Sequence, residues 1–273
     1  MSQKTILITG SSTGIGRATA LHFQEQGWNV VATMRSPEKE AELTKLDNVL
    51  VTKLDVQDES TIASAVSETI EKFGQINVLV NNAGYGAMGA LEAFDMDGIR
   101  RQFDVNVIGL LAVTKAIVPH MRERKDGTII NISSIGGKMA FPLLSLYHGT
   151  KFAVEGISES MAYELAEFGV KMKLVEPGAI ATDFGSRSMD MQNDESLEEY
   201  QPLVGKVAGA FQAILSGGAA PASIVAETIY EAATDGTNTL RYLVGEDAKA
   251  IAANRASQDD AAFTTGIKSQ FNL

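Results

Sequence analysis

Cysteine is absent from the 273 residues of the chain, which excludes disulfide bonds, thiolate metal sites and a cysteine nucleophile. Histidine is scarce as well: His22, His120 and His148 are scattered and lack the spacing of metal ligands. The sequence therefore predicts that no metal ion is bound.

Clusters of positive charge are also missing. The formal net charge is -11 at pH 7 and the sequence has no run of lysines or arginines, so the surface that would attract nucleic acid or an anionic membrane is lacking. No apolar stretch of about 18 residues and no basic, apolar leader stands out in the sequence. We therefore expect a cytoplasmic protein with neutral or small partners, which binds neither nucleic acid nor membranes.

The chain does contain enough apolar material for a large core, since 45% of its residues are hydrophobic. Seven short apolar or β-branched runs have the length of strands buried on both faces, at 5–9, 29–33, 49–54, 78–80, 128–132, 171–175 and 240–244. Segments of helical length lie between them, among them 15–26, 59–73, 99–124 with an interruption near Pro119, and 147–168. This alternation predicts an α/β fold with a doubly wound, mostly parallel, seven-stranded sheet in a single domain, residues 1–273.

Two segments depart from this alternation. The stretch 184–218 mixes methionines, aromatic residues and acidic residues, and a long irregular insertion of this kind is often functional. We expect it to act as a lid over the site. The stretch from about 246 to 273 is polar, and we expect a mobile tail there.

Three glycines, Gly10, Gly14 and Gly16, stand between the first apolar run and the first helix, in the sequence TGSSTGIG. A strand that turns directly into a helix exposes the free amides of the first helical turn, which suit a phosphate, and glycine lets the backbone approach it. A tight turn without a ligand has the same composition, and the spacing differs from the common G-x-G-x-x-G fingerprint. The glycines alone therefore leave both interpretations open.

Further motifs follow in order: LVNNAG at 79–84, DVNV at 104–107, NISS at 131–134, YHGTK at 147–151 and EPGAIATDF at 176–184. With these motifs and the glycine segment, the chain resembles the short-chain dehydrogenase/reductase family from residue 5 to about residue 182. The resemblance implies a Rossmann-like fold, a nicotinamide dinucleotide cofactor, and hydride transfer between that cofactor and a carbonyl or secondary alcohol.

Tyr147 and Lys151 are four residues apart and therefore lie on one face of a helix. A free tyrosine has a pKa of about 10, and the ammonium of Lys151, together with the positive nicotinamide of an oxidised cofactor, would lower the pKa of Tyr147. The resemblance implies that Tyr147 is the general acid/base, that Lys151 supports it and binds the ribose, and that Ser134 donates to the substrate oxygen. Ser133 is the rival of Ser134. Asn106 matches an asparagine that bends a helix and holds a water near the lysine, or that only stabilises the bend.

The resemblance also assigns residues to the cofactor. The implied contacts are Gly10, Ser12, Thr13, Gly14, Ile15 and Gly16 in the glycine segment, Asp55, Val56, Asn82, Ala83 and Gly84 near the adenosine, Tyr147 and Lys151, and Pro177, Gly178, Ile180 and Thr182 near the nicotinamide. Asn81 is interpreted as structural, tying adjacent strands together.

The end of the second apolar run bears on which dinucleotide is used. Met34 stands where NAD-binding folds place an acidic residue, and Arg35 follows it. The planar guanidinium of Arg35 can pair with a 2′-phosphate, which favours NADP(H) and leaves NAD(H) as the alternative. Arg17 either assists Arg35 or is only solvated.

Aromatic and aliphatic residues border the motifs of the site. Phe184 is expected to contact the substrate together with Ser134 and Tyr147. The apolar side chains of Tyr85, Met88, Phe141, Pro142, Leu143, Leu144, Met189 and Met191 would line a pocket for a hydrophobic small molecule, or pack in the core or an oligomer interface. By resemblance, the helices that begin near Gly98 and Tyr147 form the interface of a homodimer or homotetramer.

Other functions stay open at this point. A non-catalytic dinucleotide sensor would use the same fold, an NAD-dependent alcohol dehydrogenase the same site, and an epimerase or dehydratase of the extended branch the same tyrosine and lysine. A serine hydrolase is disfavoured because the chain has no G-x-S-x-G motif. His148 is interpreted as a pocket-wall or interface residue, because helical neighbours point about 100° apart.

Overall fold

The fold is organised around parallel strands in the computed structural model, which describes residues 3–185, 187–216 and 218–273. The strands are β1 (Thr5–Ile8), β2 (Asn29–Met34), β3 (Val49–Lys53), β4 (Val78–Asn81), β5 (Gly86–Met88), β6 (Gly127–Ile132), β7 (Val170–Pro177), β8 (Ile180–Ala181), β9 (Met189–Met191), β10 (Ala220–Pro221) and β11 (Arg241–Val244). Seven of them form one sheet in the order β11-β7-β6-β4-β1-β2-β3, and every pairing in it is parallel. Two small parallel pairs, β5 with β9 and β8 with β10, lie outside it.

Helices connect the strands and cover both faces of the sheet. They are α1 (Gly14–Glu25), α2 (Glu59–Phe73), α3 (Met96–Phe103), α4 (Leu110–Arg124), α5 (Ser145–Ala166), α6 (Gln201–Ser216), α7 (Ala222–Thr234), α8 (Glu246–Ala256) and α9 (Asp260–Gln270). α2 shows why the sequence places a helix where it does. Asp58 accepts a hydrogen bond from the first-turn amide of Ser60, and Gly74 ends the helix with a φ of 76°.

The strand order reverses between β1 and β4, which confirms the predicted doubly wound, seven-stranded fold. β1 shows why its run is continuously apolar. Ile6 and Ile8 pack with Phe23 on one face of the sheet, while Leu7 packs with Ile117 on the other, and all five side chains are fully buried. Each such side chain contributes about 1.5–3 kcal/mol through burial. Ligands of open α/β sheets bind at the carboxyl ends of the strands, next to such a reversal.

The predicted interruption of the helix near Pro119 is wrong. α4 runs through Pro119, and the irregularity lies earlier, in a wide π-type turn at Asp104–Gly109 between α3 and α4. The whole run Met96–Arg124 is long and apolar enough to cross a membrane by length and composition, with a window of mean hydropathy 1.3. Here its apolar face lies against the sheet, since Val113, Ile117 and Met121 are fully buried, as in a core helix.

The two segments predicted to be irregular or mobile contain regular secondary structure. Ser186 and Gly217 of the lid segment 184–218 lie outside the described residues. The rest of that segment contains β9 and the 16-residue helix α6. The polar stretch 246–273 contains α8 and α9, and Phe263 and Phe271 bury their rings against the rest of the fold. Its predicted mobility stays a prediction.

Candidate active site

The glycine segment forms a tight turn from β1 into α1. Gly10 and Gly14 have φ values of 71° and 57°, which an L side chain rarely adopts. A Cβ on Gly16 would overlap the carbonyl oxygen of Gly10 and lie 2.5 Å from Nδ2 of Asn82. Thr13 precedes α1 in extended backbone, and its side chain does not cap the helix. The free amides of the first turn and the bare backbone therefore fit a pyrophosphate.

Asn82 supports this turn from the end of β4. Its Nδ2 donates to the carbonyl oxygens of Thr9 and Gly10, at 2.9 and 3.0 Å. Oγ1 of Thr9 accepts from the amides of Asn82 and Ala83, both at 3.0 Å. The sequence argument placed Asn82 beside the adenosine and missed Thr9. The structure shows that both side chains hold the glycine turn in shape.

Met34 and Arg35 are adjacent at the end of β2, but their side chains have different surroundings. The side chain of Met34 is buried in the core, while Arg35 is exposed at the mouth of the cleft and has no ion-pair partner among the described residues. Arg17 is engaged elsewhere, because its guanidinium pairs with Glu40 at 2.7 Å and with Glu42. Arg35 is therefore the available cation at this strand end.

The remaining adenosine-side residues lie at neighbouring strand ends. Asp55 follows β3, and its carboxylate accepts from the amide of Gln57 at 3.0 Å. The side chain of Val56 is buried and packs so closely on Gly109 that a Cβ there would lie 2.7 Å away. Gly84 is exposed and lies next to Asn106. Val56 thus offers only its backbone to a ligand.

β6 and α5 bring the predicted catalytic side chains together. Ser134 lies two residues after the end of β6; its Oγ accepts from the amide of Gly136 at 3.0 Å, and its side chain lowers the pKa of Tyr147 as a hydrogen-bonding neighbour. Nζ of Lys151 lies 5.7 Å from the centroid of the Tyr147 ring and donates to the carbonyl oxygen of Ile132 at 2.9 Å. Ser133 is 3% exposed, so the structure puts Ser134 at the cleft and Ser133 behind it.

The pKa values of Tyr147 and Lys151 are shifted in opposite directions. Burial raises the pKa of Tyr147, and the hydrogen bond with Ser134 offsets only part of this. Burial lowers the pKa of Lys151 to about 8, against the attraction of Glu155. Among the protein's own groups, desolvation of the phenolate therefore outweighs its polar neighbours. The predicted lowering of the Tyr147 pKa also relies on the positive nicotinamide of the bound, oxidised cofactor, and it stays a prediction. A further positive charge beside the ring would be required to lower that pKa.

Asn106 lies in the wide turn between α3 and α4 and is buried. Its Nδ2 donates to the carbonyl oxygen of Tyr85 at 2.8 Å and to Oγ1 of Thr150 at 3.1 Å, and its Oδ1 accepts from the Tyr85 amide at 3.0 Å. Both ends of the amide are thus used to fix the segment after Gly84 against α5. Asn81 ties strands together, since it donates to Asn131 on β6 at 2.9 Å.

His148 has a structural task that the sequence argument missed. Its Nε2 accepts from the amide of Phe141 at 2.9 Å, so its Nδ1 carries the proton and donates to the carbonyl oxygen of Gly136 at 2.8 Å. Burial lowers its pKa, which favours this neutral form. The histidine thereby clamps the turn that carries Ser134 onto α5. No local sequence pattern predicts this contact.

The strand end of β7 faces the glycine turn. Thr182 lies in van der Waals range of Gly14, where a Cβ would be 3.5 Å from its side chain. Pro177 is buried, and Ile180 lies in β8. Asp247, which the sequence argument missed, accepts from the amide of Ala179 at 2.7 Å, and its carboxylate fills the space a Cβ on Gly178 would need.

The opposite wall of the cleft is aromatic and aliphatic. The rings of Phe184 and Tyr147 are 5.6 Å apart, and a Cβ on Gly86 would lie 2.8 Å from Sδ of Met189. Met191 is 61% exposed, and Leu144 is buried in the interior, so neither fits the predicted pocket lining well.

Three phenylalanines form a cluster near His148. The ring of Phe141 lies 6.0 Å from Phe211 of α6 and 5.5 Å from Phe271, and the rings of Phe211 and Phe271 are 5.6 Å apart. We call these three residues the phenylalanine cluster. It joins the turn after β6, the lid segment and the end of the chain.

Residues 4–193 match the family model of short chain dehydrogenase. The chain belongs to this family. It is 43% identical over 245 residues to an uncharacterised oxidoreductase of Schizosaccharomyces pombe, covering 88% of this chain and all of the relative. It is 41% identical over 184 residues to a 3-ketodihydrosphingosine reductase of Bacteroides thetaiotaomicron, covering 67% of this chain and 66% of the relative.

Solved structures of the family agree with this assignment. A short-chain dehydrogenase from Streptomyces avermitilis superposes with a TM-score of 0.85 at 33% identity, over 98% of this chain and 97% of that one. ElxO with NADPH bound gives 0.75 at 31% identity, over 94% and 100%. A 3-ketoacyl-(acyl-carrier-protein) reductase from Brucella melitensis in complex with NADH gives 0.72 at 25% identity, over 89% and 97%. The chain is thus an oxidoreductase of a family that uses nicotinamide dinucleotides.

Proposed function

We propose that the protein is an NADP(H)-dependent oxidoreductase that interconverts a carbonyl and a secondary alcohol on a hydrophobic small molecule. The observation that carries this proposal is that Ser134, Tyr147 and Lys151 lie together at the edge of the sheet where the parallel strands end and where β1 turns through the glycine segment into α1. A protein that only senses a dinucleotide has no need for a tyrosine coupled to a serine and a lysine.

In this proposal the cofactor supplies or accepts the hydride. During reduction, Oη of Tyr147 gives its proton to the carbonyl oxygen of the substrate, and Oγ of Ser134 donates a hydrogen bond to the same oxygen. Lys151, held in place by the carbonyl oxygen of Ile132, contributes a positive charge that stabilises the tyrosinate. Its pKa of about 8 leaves it mostly protonated at neutral pH.

The preference for NADP(H) rests on Arg35. Its guanidinium is exposed at the end of β2, with the acidic position occupied by buried Met34. A 2′-phosphate there would meet a planar cation without competing ion pairs among the described residues. Because family members bind either NADPH or NADH, the choice is testable at this one residue.

The proposed substrate class follows from the apolar wall. Phe184 and Met189 offer ring and thioether surface and no charge, with the phenylalanine cluster as further apolar packing, which suits a hydrophobic ketone or alcohol. A relative named for a lipid ketone, 3-ketodihydrosphingosine, supports the same class.

A homodimer or homotetramer in the cytoplasm is part of the proposal. Ile108, Phe152 and Tyr163 leave 56%, 48% and 73% of their surface exposed around the α4 and α5 region, and an exposed apolar patch of this kind favours association. Replacing Phe152 with glutamate should shift the protein towards a monomer in light scattering.

The test of the activity is Tyr147→Phe against a panel of apolar ketones with NADPH. We expect turnover to fall by about 10³-fold, as for loss of a general acid, while NADPH binds as in the wild type. Tyr163→Phe, which changes an exposed tyrosine on the same helix, should leave turnover unchanged. Full turnover in Tyr147→Phe would refute the mechanism.

The test of the cofactor is Arg35→Ala, titrated with NADPH and NADH by fluorescence. We expect the Kd for NADPH to rise about tenfold, equivalent to one charge-assisted contact, and the Kd for NADH to stay the same. Lys39→Ala, at an exposed neighbouring cation, is the control. Equal binding of both dinucleotides by the wild type would contradict the preference.

A further inference from the structure

Two buried carboxylates lie directly behind the catalytic side chains. Glu155 and Glu176 are 5% and 2% exposed, and each is next to a residue of the proposed site. Glu155 lies one helical turn after Lys151 on α5, and Glu176 precedes Pro177 at the end of β7. Neither residue has a role in the reaction proposed above.

One guanidinium serves both carboxylates. Nε of Arg241, on β11, lies 2.9 Å from Oε2 of Glu155 and 3.3 Å from Oε1 of Glu176. Its terminal nitrogen pairs with Glu159 on the surface of α5 at 2.6 Å. Oε1 of Glu155 and Oε1 of Glu176 have no hydrogen-bond partner among the described residues. Two buried carboxylates therefore share the Nε of one arginine.

Glu155 packs directly against the turn that carries Ser133 and Ser134. A Cβ on Gly137 would lie 2.8 Å from Cγ of Glu155, 2.8 Å from Oγ of Ser133 and 3.2 Å from the carbonyl oxygen of Lys151. This glycine lets the turn that carries the serines pack directly on Glu155. The charged groups around the pair are Lys151 and Glu159 from α5, Lys138 after β6, and Arg241 from β11.

We propose that Glu155, backed by Glu176, is a positioning residue that keeps Lys151 in its ammonium form in a desolvated cleft. Residues four apart on a helix face are neighbours, and a carboxylate at that spacing stabilises a lysine ammonium. Glu155 would thereby widen the pH range in which Lys151 can support Tyr147. This inference rests on the proposed role of Lys151.

The titration behaviour of the cluster agrees with this arrangement. Burial lowers the pKa of Lys151, and the charge of Glu155 raises it again. Burial and the nearby charge of Glu155 raise the pKa of Glu176 to about 7. Glu176 therefore gains its negative charge as the pH rises through neutrality.

The experiment measures the pKa of Lys151 in Glu155→Gln without relying on turnover. Trace labelling with acetic anhydride at a series of pH values, read by mass spectrometry of the peptide that contains Lys151, gives this pKa directly. We expect it to fall by about one unit. The kcat/KM for ketone reduction should begin its alkaline decline about one pH unit lower, with about a fivefold loss at pH 8 and little loss at pH 6.

Matched variants separate charge from structure. Glu159→Gln removes the exposed partner of the same arginine and should leave the pKa of Lys151 unchanged, and Glu155→Asp should restore most of it. If Glu155→Gln does not fold, Glu176→Gln decides, with a smaller fall in the same direction expected. An unchanged pKa of Lys151 in the folded variant overturns the inference. A wild type inactive on every ketone would instead refute the proposed function, and the labelling result would still stand.

Discussion

The proposed cofactor wall is shaped by backbone, whereas the proposed substrate wall is shaped by side chains from distant parts of the chain. On the first, Gly10 and Gly14 adopt positive φ values, and Gly16 has no room for a methyl group. On the second, Phe211 and Phe271 come from α6 and from the end of the chain. A site formed by the backbone tolerates almost no substitution, whereas a wall formed by side chains can be altered one residue at a time. The two walls should therefore respond to mutation through different measurements.

The largest effect is expected from Gly16→Ala on the cofactor wall. The added methyl group overlaps the Gly10 carbonyl, so the turn has to open and the phosphate site is lost. We expect the affinity for NADPH, measured by fluorescence titration, to fall about 100-fold or more. Gly156→Ala in α5, where a Cβ meets nothing within 4 Å, should bind normally and gain up to about 1 kcal/mol in stability. Normal NADPH binding by Gly16→Ala would show that the turn can relax.

Phe271→Ala should affect the substrate wall alone. Phe271 is fully buried in the phenylalanine cluster, and removal of a buried ring costs about 3 kcal/mol of packing. We expect the KM for an apolar ketone to rise about tenfold, with the Kd for NADPH unchanged. Leu273→Ala, at a position 47% exposed, is the control in the same steady-state assay. A matching loss of NADPH affinity would mean that the two walls are coupled.

A smaller change of the same wall is expected from Phe184→Ala. The ring of Phe184 lies 5.6 Å from that of Tyr147, so its loss enlarges the space beside the reacting oxygen. We expect kcat/KM to fall about threefold for small ketones and to rise for bulkier ones in a competition assay. The same alanine at Met191, which points to solvent, should change neither. Identical selectivity of Phe184→Ala and wild type would remove Phe184 from the substrate wall.

The smallest effect concerns His148, which joins the catalytic turn to α5. The fold lowers its pKa below the unfolded value of about 6.5, so the unfolded chain binds more protons as the pH falls through that range. Wild type should therefore lose stability below about pH 6.5, and His148→Gln should lose less, by roughly 1 kcal/mol or below. Thermal unfolding at about pH 5.5 and pH 7.5 measures the difference. His120, whose pKa is also lowered by burial, is present in both proteins. Parallel slopes for the two proteins would contradict the assignment.

The same contrast explains what the sequence could predict. Apolar runs such as β1 are continuous because both faces of the sheet are covered, so their number and type are readable. The glycine turn is readable because only glycine allows it. The clamp by His148 and the support from Thr9 and Asn82 are not, since they join residues that are distant in sequence. The order of the chain end, fixed by one buried ring at Phe271, has no periodic signal.

The small strand pairs outside the main sheet have a consequence for how such enzymes diversify. β8 lies beside β10, and β9 is held by β5, so the chain leaves and re-enters the body of the protein at nearly the same place. A segment anchored at both ends in this way can change in length at little cost in stability, because the entropy of closing a loop grows only slowly with its length. Insertions and deletions between β9 and β10 can remodel what the enzyme accepts while its hydride chemistry is inherited intact.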